Sequence, residues 1–195
     1  KATATDTVGG TGPSGEDSVT VSIPDCISME FMGSGRIQAD NVSGMPSGNG
    51  ARTLSAWIYS YGPHQGDVIT LGDPNTGTNA QFSLLVNGSS LRVVGQGNDH
   101  FNVPFGDNMW THVAVTHDGS TLRIYVDGQL AGTSSDALAD ISLSSSASNL
   151  LGIRAHSCNG DDYFLEGDLK EVRLWATALS QSDVQTNEAI EEMDA

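Results

Sequence analysis

Between residues 110 and 132, apolar and polar side chains take turns in three short runs, each separated from the next by an Asp-Gly pair. Period-two alternation places successive side chains on opposite faces of a strand. In the first run Trp110, His112 and Ala114 share one face, and Thr111, Val113 and Val115 share the other. Leu122, Ile124 and Val126 face one way in the second run, and residues 129–132 form the third. Glycine after Asp supplies the left-handed backbone of a two-residue hairpin turn. Asp118-Gly119 and Asp127-Gly128 therefore predict an antiparallel meander.

The same pattern repeats along the chain. Residues 19–23 alternate up to Pro24, and residues 26–31 alternate again. Residues 36–39 read as their short partner across Gly33-Ser34-Gly35. Residues 52–61 are a long strand with bulk on both faces, as in the middle of a sheet. Further strands are predicted at 67–71, 81–86, 91–94, 101–103, 150–155 and 163–175, with Asn87-Gly88 as another hairpin corner. Ser180 and Asp183 form a capping pair that starts a short C-terminal helix. Short strands at regular spacing predict an all-β, two-sheet antiparallel jelly-roll sandwich. Residues 1–18, rich in Gly, Thr and Ser, read as a tail or strap, residues 19–185 as the folded domain, and residues 186–195 as an acidic tail.

Composition narrows the partners. The 195 residues include 23 glycines and carry a formal net charge of −16. Phosphate-rich partners are repelled by such a surface, so nucleic acid and anionic membranes are poor partners, and no membrane insertion is expected. No apolar run is long enough for a transmembrane helix. The start at Lys1 rather than Met is read as the mark of a removed signal or pro-segment. The expected setting is extracellular. Cys26 and Cys158 are an even pair that reads as a disulfide, contributing about 4–5 kcal/mol on the chain-entropy model. Two buried thiols are the alternative. Asn41 and Asn87 each open an N-glycosylation triplet.

Several pieces in order resemble one family: Leu54-Ser55-Ala56-Trp57-Ile58, Trp110-Thr111-His112-Val113-Ala114, Tyr125-Val126-Asp127-Gly128, Leu151-Gly152, Gly167 through Arg173, and Ala178-Leu179-Ser180. Together they resemble a laminin-G-like, concanavalin A-like jelly roll related to pentraxins. The resemblance implies two curved antiparallel sheets, an extracellular setting, and binding rather than catalysis. It leaves the ligand open, because fold does not determine function.

For the three tryptophans, Trp57, Trp110 and Trp175, packing is the first reading and a sugar-stacking platform the second. His112 and His117 read as ladder neighbours. A loop rim of Tyr61, His64, Asn98, Asp99, His100 and Tyr163 offers aromatic faces and fixed polar groups for a sugar. The family's Ca²⁺ sites correspond here to loops carrying Asp73, Asn79, Asp161 and Asp162, oxygen donors suited to a hard cation. Where pentraxins supply an acidic cluster this chain has Ile153-Arg154-Ala155-His156, so the double-calcium site is not expected. Glu166, Asp168 and Glu171 have the outline of the laminarinase-like catalytic strand. On a regular strand, however, Glu171 would point away from the other two, so no catalytic residue is assigned. The favoured function is a secreted, non-enzymatic carbohydrate-binding or adhesive module. The alternative is a matrix or biomineral assembly protein that binds another protein. A sheet edge could pair two copies, although nothing in the sequence specifies that oligomer.

Overall fold

The computed structural model describes residues 28–33, 37–38, 47–72, 80–95, 99–135, 150–151, 153–154 and 163–193. Its strands are β1 (Met29–Met32), β2 (Ile37–Gln38), β3 (Arg52–Ser60), β4 (Gln65–Gly72), β5 (Gln81–Asn87), β6 (Ser90–Val94) and β7 (Asp99–Pro104). They continue with β8 (Trp110–His117), β9 (Leu122–Val126), β10 (Gln129–Ser134), β11 (Leu150–Leu151), β12 (Ile153–Arg154), β13 (Tyr163–Phe164) and β14 (Glu166–Trp175). A single helix, α1 (Gln181–Met193), follows. One six-stranded antiparallel sheet runs β1-β14-β3-β8-β9-β10, a second runs β2-β11-β4-β5-β6-β7, and β12 and β13 pair separately. The protein is the two-sheet jelly-roll sandwich that the alternation predicts.

One face of each sheet builds the core. Leu54, Ala56 and Ile58 of β3, Val113 and Val115 of β8, and Leu122 and Ile124 of β9 meet Leu71 of β4, Phe82, Leu84 and Val86 of β5, and Leu91 and Val93 of β6. All are buried. Removing such side chains from water stabilises the fold by about 1.5–3 kcal/mol each. The opposite face of β3 and β8 is also closed in part. There Val184 of α1 packs on Ala114 and Tyr125, with Leu179 against the same cluster. The amides of Gln181 and Gln185 each donate to the Gly128 carbonyl at 3.1 Å. Ser180 and Asp183 cap the helix reciprocally. The Asp183 N–H donates to Ser180 Oγ at 3.3 Å, and the Ser180 N–H donates to Asp183 Oδ2 at 3.1 Å. The helix continues through residues 186–193, which the sequence reading assigns to a tail.

Three local expectations are corrected. β1 and β2 are not hairpin partners: β1 pairs with β14 in the first sheet and β2 with β11 in the second. The glycine-containing link between them therefore crosses from sheet to sheet. Asp118-Gly119 is not a two-residue turn, because His117 pairs with Leu122 across a four-residue loop. Asp118 organises that loop, its Oδ1 accepting from the N–H groups of Ser120 and Thr121 and its Oδ2 from Arg123 at 2.7 Å. Arg123 above all holds its carboxyl well below the usual carboxylate range. Asp127-Gly128, with φ of 44° and 66°, is the tight left-handed turn expected. Finally, β14 bulges between Lys170 and Arg173 with Glu171 at φ 51°, which turns Glu171 back toward Arg173 rather than away.

Candidate functional site

The tryptophans do not enter the core between the sheets. Alternation along β3 sends Leu54, Ala56 and Ile58 inward and leaves Ser55, Trp57 and Tyr59 on the outer face of the first sheet. The pairing register extends this face across four strands. Glu30 of β1 stands directly opposite Asp168 of β14, Asp168 opposite Tyr59 of β3, and Tyr59 opposite Trp110 of β8. The result is one row of two carboxylates, a phenol and an indole. Neighbouring strands lie about 4.8 Å apart, so four of them span roughly 14 Å.

The rows on either side complete the surface. Toward the end of β3, Met32 lies opposite Glu166, and the Tyr61 N–H donates to the Glu166 carbonyl at 3.0 Å. Met32 is 73% exposed and Tyr61 40%. On the other side Lys170 pairs with Trp57, and Trp57 with His112. The Lys170 ammonium rests 4.8 Å from the Trp110 ring centroid and 5.4 Å from that of Trp57, so two indoles share one cation. Trp57 and Lys170 are each only 8% exposed and form the floor of the patch. Tyr59 meets Trp110 edge-on at 5.6 Å and Tyr61 at 5.9 Å. The Tyr61 hydroxyl donates to Glu30 Oε1 at 3.3 Å. Desolvation, the Asp168 carboxylate and then Glu30 push this phenol up to about 12, so it remains a proton donor across the physiological range.

The structure divides the predicted loop rim between the two ends of the sandwich. Tyr61 and His64 stand at one end, where His64 Nε2 accepts from the Glu166 N–H at 3.0 Å and its Nδ1 lies 2.9 Å from the Gly62 carbonyl oxygen. Tyr163 belongs to the same end, because the backbone of Phe164 and Leu165 lies against Gly66. His100 is 4% exposed, with its Nδ1 3.2 Å from Ser134 Oγ. It sits at the opposite end, near His117 and Arg52, about 25 Å away along a nine-residue strand. His100 therefore cannot share a small ligand with Tyr61 and His64. Asp99 lies in β7 beside it.

Asn98, the calcium candidates Asp73, Asn79, Asp161 and Asp162, the cysteines Cys26 and Cys158, and the glycosylation candidate Asn41 lie outside the described residues. Asn87 closes the β5–β6 turn, its side-chain oxygen accepting from Arg92 Nε at 3.3 Å. Of the laminarinase-like triplet, Glu166 and Asp168 do share the outer face. The bulge brings Glu171 round to it as well, but Arg173 Nη2 holds Glu171 Oε2 at 2.6 Å. Sequence reading omitted Glu30, Tyr59, Asp168 and Lys170 from the site. The alternation of Trp57, Tyr59 and Tyr61 was the available signal. The strand register that aligns them with Glu30 and Asp168 was not visible.

Comparison with known proteins agrees with this architecture. Residues 31–185 match a family model described as the concanavalin A-like lectin/glucanases superfamily. No curated protein sequence matches the chain. Among solved structures, a heptameric SAP-like pentraxin from Limulus polyphemus superposes with a TM-score of 0.64 at 17% identity, covering 87% of this chain and 84% of that one. A candidate carbohydrate-binding protein from Bacteroides ovatus gives 0.63 at 21% identity, covering 81% of this chain but only 45% of its own length. Domain 4 of the extracellular arabinanase AbnA from Geobacillus stearothermophilus, solved with arabinotriose, gives 0.62 at 20% identity, covering 82% and 75%. At these identities the likeness establishes the fold.

Proposed function

Because the chain belongs to the concanavalin A-like lectin/glucanase superfamily, we propose that it is a secreted, non-enzymatic module that binds carbohydrate on the outer face of its first sheet. The observation that carries this reading is the row Glu30, Asp168, Tyr59 and Trp110, flanked by the exposed Tyr61. Sugars present an apolar face to an aromatic ring and a girdle of hydroxyl groups to acceptors. A phenol and an indole beside two carboxylates offer both. The arabinotriose complex of the arabinanase domain and the Bacteroides ovatus protein support a saccharide over a protein ligand. Catalysis is left out of the proposal because Glu171 is committed to Arg173. The absence of product from laminarin or κ-carrageenan is the expected result. Calcium assistance through Asp73, Asn79, Asp161 and Asp162 belongs to the proposal on the chemistry of those side chains alone.

A glycan array tests the reading. The wild-type chain is expected to give reproducible hits that Tyr61→Ala and Trp110→Ala each weaken about tenfold or more, a loss of at least ~1.4 kcal/mol. His100→Ala, at the other end of the sandwich, keeps them. A blank array would favour the alternative of an assembly protein, whereas hits lost with His100→Ala and kept with Tyr61→Ala would move the sugar site to the opposite end of the sandwich.

A further inference from the structure

Resting on the carbohydrate reading, we propose that the outer-face row selects saccharides that bear free, protonated amino groups. Glu30 and Asp168 occupy directly opposed positions on adjacent antiparallel strands. Like charges so placed destabilise a sheet, and the Tyr61 phenol beside them offers a single proton to the two carboxylates. Neither carboxylate has a cationic partner among the described residues. Arg123 pairs with Asp118 and Arg173 with Glu171, and the Lys170 ammonium lies over the indoles.

The rest of the patch suits the same ligand. Lys170 shows that these rings hold an ammonium group, at 4.8 Å from the Trp110 centroid. Tyr59 and Tyr61 extend the same kind of surface outward, where a second cation would meet π-faces and carboxylates together. Trp57, in the adjoining row, keeps an indole N–H with no partner among the described residues. The net charge of −16 draws polycations to the surface and repels uronates, sialates and sulfated sugars. An amino sugar combines the ring that stacks on an aromatic face with the ammonium that the opposed carboxylates lack. A lysine-rich peptide supplies only the second.

Calorimetric titration of the full chain at about pH 6, where a free amine is protonated, decides the matter. The ligands are a β-1,4-linked glucosamine oligomer, its N-acetylated counterpart, oligogalacturonate and oligolysine. The glucosamine oligomer is expected to bind about tenfold more tightly than either its N-acetylated form or oligolysine. Oligogalacturonate should give no heat. The double variant Glu30→Gln/Asp168→Asn should bring the two sugars within about twofold of each other. Its melting temperature, no lower than that of the parent, shows that the sheet is intact. Equal affinity for the N-acetylated oligomer, tight binding of oligogalacturonate or oligolysine, or a preference that survives the double variant overturns this inference. Sugar binding that depends on Tyr59 and Trp110 but ignores the amine overturns it while leaving the carbohydrate reading standing. Failure of all three sugars to bind overturns this inference, and a blank glycan array beside it removes the carbohydrate reading as well.

Discussion

Arg52 and His117 face each other across β3 and β8 at the end of the sandwich opposite the aromatic patch. Both are buried. Arg52 Nε donates to the Gly50 carbonyl at 2.9 Å, and its Nη2 donates to that of Gly48. Burial brings this guanidinium down to about 10. Burial also lowers the His117 imidazole, and the Arg52 charge adds to the effect. The sign follows from proton counting. An unfolded histidine takes up its proton near pH 6.5. The folded one does so only at lower pH, so the unfolded state binds more protons below about 6.5. The stabilisation is complete above that value and is lost as pH falls through the folded pKa. In an NMR titration the His117 midpoint should lie below the ordinary value of about 6.5, and Arg52→Met should move it up toward that value. A midpoint at or above that value in the parent protein would contradict the burial argument. The strand pattern places His117 in a ladder, and only the β3–β8 register makes Arg52 its neighbour.

At the scale of the element, β14 holds the site together. It brings Asp168 and Lys170 to the outer face and Leu169 to the core, and its neighbour β3 brings Tyr59 and Trp57. Gly167 permits the close approach, because a Cβ there would stand 2.2 Å from the Tyr59 carbonyl oxygen. A larger residue must force the two strands apart. Gly167→Val is expected to lower stability by about 1–3 kcal/mol and to weaken sugar binding with it. Ser180→Ala, which removes a helix cap on the far part of the sheet, should cost about 1 kcal/mol and leave binding unchanged. Chemical denaturation paired with the array separates the two. Equal effects on binding would mean that the patch is not aligned by β14. The helix start was legible because capping is a contact between residues three apart. The bulge at Glu171 was not, because it exists only as a mismatch of count between two distant segments.

For the whole molecule, the surplus of 24 acidic over 8 basic residues sets the field in which any ligand arrives. Divalent cations are favoured by the same field that disfavours phosphates. The proposed calcium assistance therefore has a simple readout. Adding Ca²⁺ to the full chain should raise the melting temperature in proportion to the logarithm of its concentration above Kd, whereas Mg²⁺ should do so less. A melting temperature indifferent to Ca²⁺ would remove Asp73, Asn79, Asp161 and Asp162 from the functional account.

Alternation along each run, and the Asp-Gly and Asn-Gly corners between runs, were enough by themselves to establish strands, two stacked sheets and a capped helix. These depend on residues a few positions apart, and so the linear chain contains them. Which strand pairs with which, and in what register, depends on segments far apart in the chain. Glu30 and Asp168 are separated by most of the domain, yet the fold sets them side by side, while Tyr61 and His100, nearer in sequence, end at opposite poles. Only the folded chain could gather the aromatic and acidic rows into one surface, because long-range pairing is decided by the burial of both sheets at once.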